Sequence, residues 1–131
     1  MREPVDQLVL GIGAVPEEAL AKACGLECEN GIVVDARMRT SDPRVLAIGD
    51  CANFPRDGRR LRLESVQNAN DQARTAAATL LGRDQPYRAL PWFWSDQGAL
   101  RLQIAGLVPP GGARVRRPGA SEASFSILHY A

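Results

Sequence analysis

Apolar positions along the chain fall into short runs whose spacing alternates between strand-like and helix-like. Residues 8–12 form a short apolar run closing at Gly13, which predicts a strand. Pro16-Glu17-Glu18 then opens a helix, with proline in the first turn and acids where the helix dipole favours them; Leu20, Ala23 and Cys24 recur on its apolar side, and Gly25 caps its end. Asn30-Gly31 is a tight-turn dipeptide ahead of a strand over residues 32–35. Residues 45–48 are unbroken apolar between Pro43 and Gly49, the pattern of a strand buried on both faces. Gly49, without a Cβ, would admit a close neighbour, and Asp50 follows at the strand's carboxyl end. Taken alone, this run is a buried strand with a turn aspartate.

Residues 51–60, with Pro55 and Asp57-Gly58, are expected to be a loop. Ser65 is the expected N-cap of a helix over residues 66–81 ended by Gly82. Val66, Ala69, Ala73, Ala76, Ala77, Leu80 and Leu81 make a stripe of mostly small residues on it, expected to face a neighbouring sheet. Residues 82–90 read as a linker. Pro91-Trp92-Phe93-Trp94 then gathers both tryptophans of the chain, a cluster that fits a core anchor or an interface. Leu100, Leu102 and Ile104 alternate with Arg101, Gln103 and Ala105 as in a half-buried strand. Pro109-Pro110-Gly111-Gly112 breaks the pattern, and further strands are expected over residues 113–117 and 125–130.

Composition narrows the picture. The chain has 131 residues, 45% apolar and 24% charged, which suits an ordinary globular domain. Its net charge of +1 gives no overall pull toward nucleic acid or anionic membranes, and no apolar run reaches bilayer length. Residues 1–6 are polar and read as a frayed start, with no secretory signal pattern. Cys24, Cys28 and Cys51 lack Cys-x-x-Cys spacing, and His129 is the single histidine, so small buried or half-buried thiols in a reducing cytoplasm are expected rather than a metal site or redox disulfide. Arg59, Arg60 and Arg62 form a basic cluster, either a solvated face or a steering patch for an acidic partner.

Three separated motifs carry a resemblance: Thr40-Ser41-Asp42-Pro43 running on to Gly49-Asp50, Arg62-Leu63-Glu64-Ser65-Val66-Gln67-Asn68-Ala69, and Pro91-Trp92-Phe93-Trp94-Ser95-Asp96-Gln97. Together they resemble the FAD-dependent ferredoxin reductases of bacterial oxygenase and cytochrome P450 systems, within the flavoproteins that have two dinucleotide-binding domains. The resemblance implies an α/β fold, the late part of an FAD domain followed by the start of an α+β C-terminal domain. It divides the chain into residues 1–16 at the return from the NAD domain, 17–85 in the FAD domain, and 86–131 in the C-terminal domain.

For the site, the resemblance implies that Gly49 and Asp50 meet the ribityl chain of FAD. It also implies that Ser65, Val66 and Gln67 open a helix aimed at the flavin ring, and that Trp94 flanks the ring on the ferredoxin side. The implied activity is electron transfer from NAD(P)H through FAD to a [2Fe-2S] ferredoxin. The chain departs from the family pattern at Glu17 and at residues 108–112. Neither Gly-x-Gly-x-x-Gly phosphate turn occurs, since proline stands at the third glycine's place after Gly11-Ile12-Gly13. A fragment that binds FAD weakly or not at all, lacks turnover alone and self-associates or domain-swaps is therefore expected. The competing expectation is a cofactor-free structural or interaction domain derived from such a reductase.

Overall fold

The computed structural model describes residues 4–108, 110–121 and 123–130; residues 1–3 of the expected frayed start and Pro109 of the proline-glycine break lie outside them. The chain divides into two compact units, Met1–Tyr87 and Arg88–Ala131. Among the described residues, no helix is long and apolar enough to cross a membrane.

The first unit contains a three-stranded sheet in the order β1-β2-β3. β1 (Ile32–Val33) runs parallel to β2 (Ala52–Arg56), with Ile32 opposite Ala52, and β3 (Arg59–Leu61) returns antiparallel with Leu61 opposite Phe54. The expected loop over residues 51–60 is thus mostly a hairpin. Asp57 and Gly58 both have positive φ (49° and 76°), as a two-residue turn matching strand twist requires. Pro55 is tolerated in β2 because β1 borders that strand only at Ala52 and Asn53. Asn30 and Gly31, also at positive φ, turn the chain into β1.

Two other expected strands do not form. Residues 8–12 have no ladder partner among the described residues, and Val9 and Ile12 stay 89% and 87% exposed. Residues 45–48 make a single bridge, Leu46 to Arg39, and bury Ala47 while leaving Val45 and Ile48 exposed. Their backbone bonds go instead to a tight excursion: the Thr40 N–H donates to the Val45 carbonyl and the Ala47 N–H to that of Met38. Met38 itself is fully buried at φ 66°, a conformation that burial and those local bonds hold in place.

α1 (Ala19–Ala23) is only five residues long and begins three residues beyond the expected Pro16. Glu17 caps it locally, its carboxylate accepting the Ala19 N–H at 2.7 Å. Gly25, at φ 72°, closes it: the N–H groups of Gly25 and Leu26 donate back to Lys22 and Ala21. Leu20, Ala23 and Cys24 face solvent, and Ala21 is the buried position, so the apolar side lies elsewhere than expected.

α2 (Val66–Leu80) starts where expected and ends one residue short of the expected Leu81. Ser65 caps its start, and Gly82 (φ 70°) and Arg83 donate to Thr79 and Ala78 at its end. The face it buries is a different one. Asn68, Gln72, Thr75 and Thr79 point inward with Ala76 and Ala78, whereas Val66, Leu80 and Leu81 are exposed. Polar positions at helical spacing serve here because Asn68, Gln72 and Thr79 find partners; the Thr79 hydroxyl, for example, donates to the Arg37 carbonyl at 2.8 Å. The apolar core is small: Val34, Met38, Ala52 and Phe54, with Tyr87 edge-on to Phe54 at a centroid distance of 5.0 Å.

The second unit consists of two separate hairpins. β4 (Trp92–Gln97) pairs antiparallel with β5 (Leu100–Ala105) around Gly98, and β6 (Ala113–Pro118) pairs with β7 (Phe125–Tyr130). The last three strands fall where the sequence places them, but β5 half-buries only Ile104. Trp92 and Trp94, next but one on β4, stack at 4.9 Å with their planes 26° apart, and each remains about 40% exposed.

Candidate functional site

The first-unit residues singled out by sequence lie on two elements that touch. Gly49 and Asp50 sit in a 3-10 turn, Gly49–Cys51, rather than at the end of a regular strand. Gly49 is buried at φ 76°. A Cβ there would meet only Ala69 Cβ, at an ordinary 3.6 Å, so glycine is required by the left-handed backbone and not by crowding. Ala69 lies one turn into α2, its N–H donating to the Ser65 carbonyl. The chain immediately before Asp50 therefore packs one turn from the helix opening.

A buried polar network fixes this contact. The Gly49 N–H donates to Gln72 Oε1 at 2.7 Å, Gln72 Nε2 donates to Asn68 Oδ1 at 3.1 Å, and that oxygen also accepts the Tyr87 hydroxyl at 2.9 Å. Asn68 Nδ2 completes the set by donating to the Leu63 carbonyl at 2.9 Å. Burial pushes the Tyr87 phenol up from its ordinary value, so the hydroxyl stays a donor at neutral pH. The sequence motifs include Asn68 but assign no role to it, to Gln72 or to Tyr87. The available signal was the spacing of Asn68, Gln72, Thr75 and Thr79, which puts four polar residues on one side of the helix.

Asp50 is exposed, and among the described residues its carboxylate takes no hydrogen bond or ion pair from the protein. Its backbone carbonyl accepts Arg62 Nη1 at 2.9 Å. Ser65 stands in extended backbone with its Oγ accepting the Asn68 N–H at 3.1 Å. Val66 is exposed, and the half-buried Gln67 side chain donates to the Asp71 carboxylate. An exposed carboxylate offers hydroxyl-accepting oxygens, and a helix opening offers N–H donors with partial positive charge. Trp94 belongs to the second unit, on β4 opposite Gln103.

The three arginines of the basic cluster differ in setting. Arg60 donates to the carbonyls of Val34 (2.8 Å) and Asn53, and the Arg62 side chain is 11% exposed. Arg59 and Arg60 are exposed, and Arg62 is the one of the three turned inward. The Arg62 guanidinium, 2.6 Å from Glu64, and then the Ala14 N–H hold the Glu64 carboxyl below the usual carboxylate range. All three cysteines are free thiols, Cys24 exposed and the others half-buried.

Comparison with known proteins agrees with this architecture. The family model for pyridine nucleotide-disulphide oxidoreductases matches residues 2–73, and one described as reductase C-terminal matches residues 92–131. The chain is 49% identical over 129 residues to the ferredoxin reductase subunit of 5,5'-dehydrodivanillate O-demethylase from Sphingobium sp. (strain NBRC 103272 / SYK-6), covering 96% of this chain and 31% of that protein. It is 42% identical over 130 residues to putidaredoxin reductase CamA of Pseudomonas putida, covering 98% and 31%. Among solved structures, the ferredoxin reductase for the CYP199A2 system of Rhodopseudomonas palustris superposes with a TM-score of 0.86 at 49% identity, covering 92% of this chain and 30% of that one. The chain thus spans under a third of the length of these relatives. With more than half of its residues matched by one family model and the remainder largely by a reductase C-terminal module, the chain belongs to the pyridine nucleotide-disulphide oxidoreductase family.

Proposed function

We propose that this chain supplies the ribityl- and ring-facing part of an FAD site in a reductase that moves electrons from NAD(P)H through FAD to a [2Fe-2S] ferredoxin in a cytoplasmic oxygenase or P450 system. In this reading residues 1–16 return from the NAD domain, residues 17–85 are the late FAD domain, and residues 86–131 open the C-terminal domain. The observation that carries it is the seating of the Gly49–Cys51 turn on α2 through the Gly49–Gln72 bond, next to the end of the helix that Ser65 caps.

The residues present suit that part of the cofactor. Asp50, with a carboxylate unclaimed by the described residues, would accept from a ribityl hydroxyl. The opening of α2 at Ser65, Val66 and Gln67 would offer backbone donors and partial positive charge to the flavin ring, stabilising the negative charge it gains on reduction. FAD supplies the two-electron to one-electron conversion between nicotinamide and iron–sulfur cluster.

Titration of the 15N-labelled chain with FAD up to millimolar concentration tests this reading. Saturable shifts in the amides of Asp50 and of residues 65–67, abolished by Asp50→Ala, are expected. Of the two outcomes expected from sequence, weak binding or none, this reading commits to weak binding, so absence of any shift at those amides at millimolar FAD overturns it. The exposed apolar residues Leu8, Val9, Leu10, Ile12 and Val15 favour a second reading, a cofactor-free domain that self-associates through this segment. Sedimentation that stays monomeric at high concentration would remove that alternative.

A further inference from the structure

Arg62 makes directed contacts with three stretches of chain besides its own. Its Nη1 donates to the Asp50 carbonyl at 2.9 Å and to Glu64 Oε1 at 2.6 Å. Its Nη2 donates to the Ala14 carbonyl at 3.3 Å, and its Nε to Asn30 Oδ1 at 3.4 Å. Glu64 extends the reach from the same strand end, its Oε2 accepting the Ala14 N–H at 3.4 Å.

The packing around the guanidinium stem is close. A Cβ on Gly31 would lie 2.9 Å from Arg62 Cδ and 2.7 Å from the Cys51 carbonyl oxygen, so the turn at residues 30–31 is pressed against both Arg62 and the turn that bears Asp50. One planar fork of five N–H donors can serve acceptors lying in several directions at once, whereas an ammonium at the end of a flexible stem cannot hold the same set.

We infer that Arg62, braced by Glu64, is a positioning residue that locks the Asp50 turn, the Asn30-Gly31 turn and the Ala14 segment to one another. The stretch around Ala14 makes no strand or helix of its own, and its described side-chain-mediated bonds are those to Arg62 and Glu64. Its placement beside the Asp50 turn therefore depends on this pair. The relevance of the lock to cofactor binding rests on the flavin reading proposed above; the lock itself does not.

Amide hydrogen exchange on the 131-residue chain tests the lock without any cofactor. The reporters are Ala14, whose N–H meets Glu64, Gly31, whose N–H meets the Glu18 carboxylate, and Ala52, whose N–H closes the Gly49–Cys51 turn. The Ala69 and Tyr87 amides, held by the Ser65 and Ala36 carbonyls, serve as controls for general loosening. Arg62→Ala is expected to speed exchange at the three reporters together by about tenfold, the loss of one charged hydrogen bond, with the controls unchanged. Arg62→Lys is expected to restore at most one of the three.

Reporter rates equal to wild type in Arg62→Ala, or full restoration by lysine, would overturn the inference. Should Arg62→Ala fail to fold, Glu64→Gln keeps the shape while weakening the brace. Faster exchange at Ala14 alone against steady controls then supports the lock, and an unchanged Ala14 rate overturns it. In the FAD titration, Arg62→Ala should need about tenfold more FAD for the Asp50 shift. Equal affinity removes the role in the cofactor site, while a wild-type chain that shows no FAD shifts refutes the flavin reading and leaves the exchange result to judge the lock.

Discussion

The Gly49 N–H and Gln72 Oε1, 23 positions apart in sequence, meet at 2.7 Å in the interior of the first unit. This bond satisfies a backbone donor that the left-handed turn at Gly49 takes away from any ladder, and it ties the Asp50 turn to α2. Gln72→Leu preserves helix propensity and removes the acceptor. The buried N–H then loses its partner, and a loss of about 1–3 kcal/mol in unfolding free energy is expected. Urea unfolding followed by far-UV circular dichroism, dominated in this unit by α2, measures it. A change within experimental error would mean that the turn finds another acceptor.

Ser65 contributes through a single cap bond to the Asn68 N–H at 3.1 Å. Ser65→Ala is expected to cost about 1 kcal/mol, and Ser65→Asp to restore it through the same geometry and a favourable charge at the helix start. The same denaturant titration reads both variants. If aspartate were no better than alanine, the cap would not be what holds this end of the helix.

Much of the architecture could be read directly. Ser65 and Gly82 bracket α2 because capping is a local matter, settled within four or five residues. The family motifs likewise survive as strings. What sequence did not disclose depends on partners far along the chain. Residues 45–48 look like a buried strand, yet apolarity alone does not provide a neighbouring strand, and the run folds back on residues 38–40 instead. The alanine stripe of α2 suggested the buried face, but small side chains do not fix orientation when Asn68, Gln72 and Thr79 have buried acceptors and donors to reach. Arg62 reads as part of a surface patch because charge is usually solvated, and only the tertiary position of the Asp50 carbonyl draws it inward, while Arg59 and Arg60 stay exposed. Asp57-Gly58 is a further legible signal, since that dipeptide between two short runs specifies a hairpin.

Tyr87 joins two parts of the first unit, its ring edge-on to Phe54 and its hydroxyl on Asn68 Oδ1 at 2.9 Å. The two functions separate by substitution. Tyr87→Phe keeps the ring and removes one buried bond, for an expected loss of about 1 kcal/mol. Phe54→Ala leaves a cavity beneath the ring and is expected to cost about 3–5 kcal/mol. A Tyr87→Phe variant as unstable as Phe54→Ala would show that the polar network, not ring packing, dominates this region.

Asp42 gives the excursion over residues 38–47 a pH dependence whose sign follows from its partners. Arg44 donates to it through Nε at 3.0 Å and Nη2 at 2.7 Å, and through its backbone N–H at 3.0 Å. These bonds, the side-chain ones foremost, lower the carboxyl from an ordinary 3.8 to about 2. A carboxyl depressed in the folded state stabilises it fully above the ordinary value, and that contribution disappears as pH falls from about 4 through about 2. Asp42→Asn cannot form the ion pair. Its stability deficit relative to wild type should therefore be constant above about pH 4 and shrink toward zero on acidification. Because Arg44 is largely exposed, added salt should reduce the deficit at every pH. Paired denaturant titrations of the two proteins across this range decide the matter, and a deficit that persists unchanged to pH 2 would place the effect of the substitution in the turn's neutral hydrogen bonds rather than in its charge.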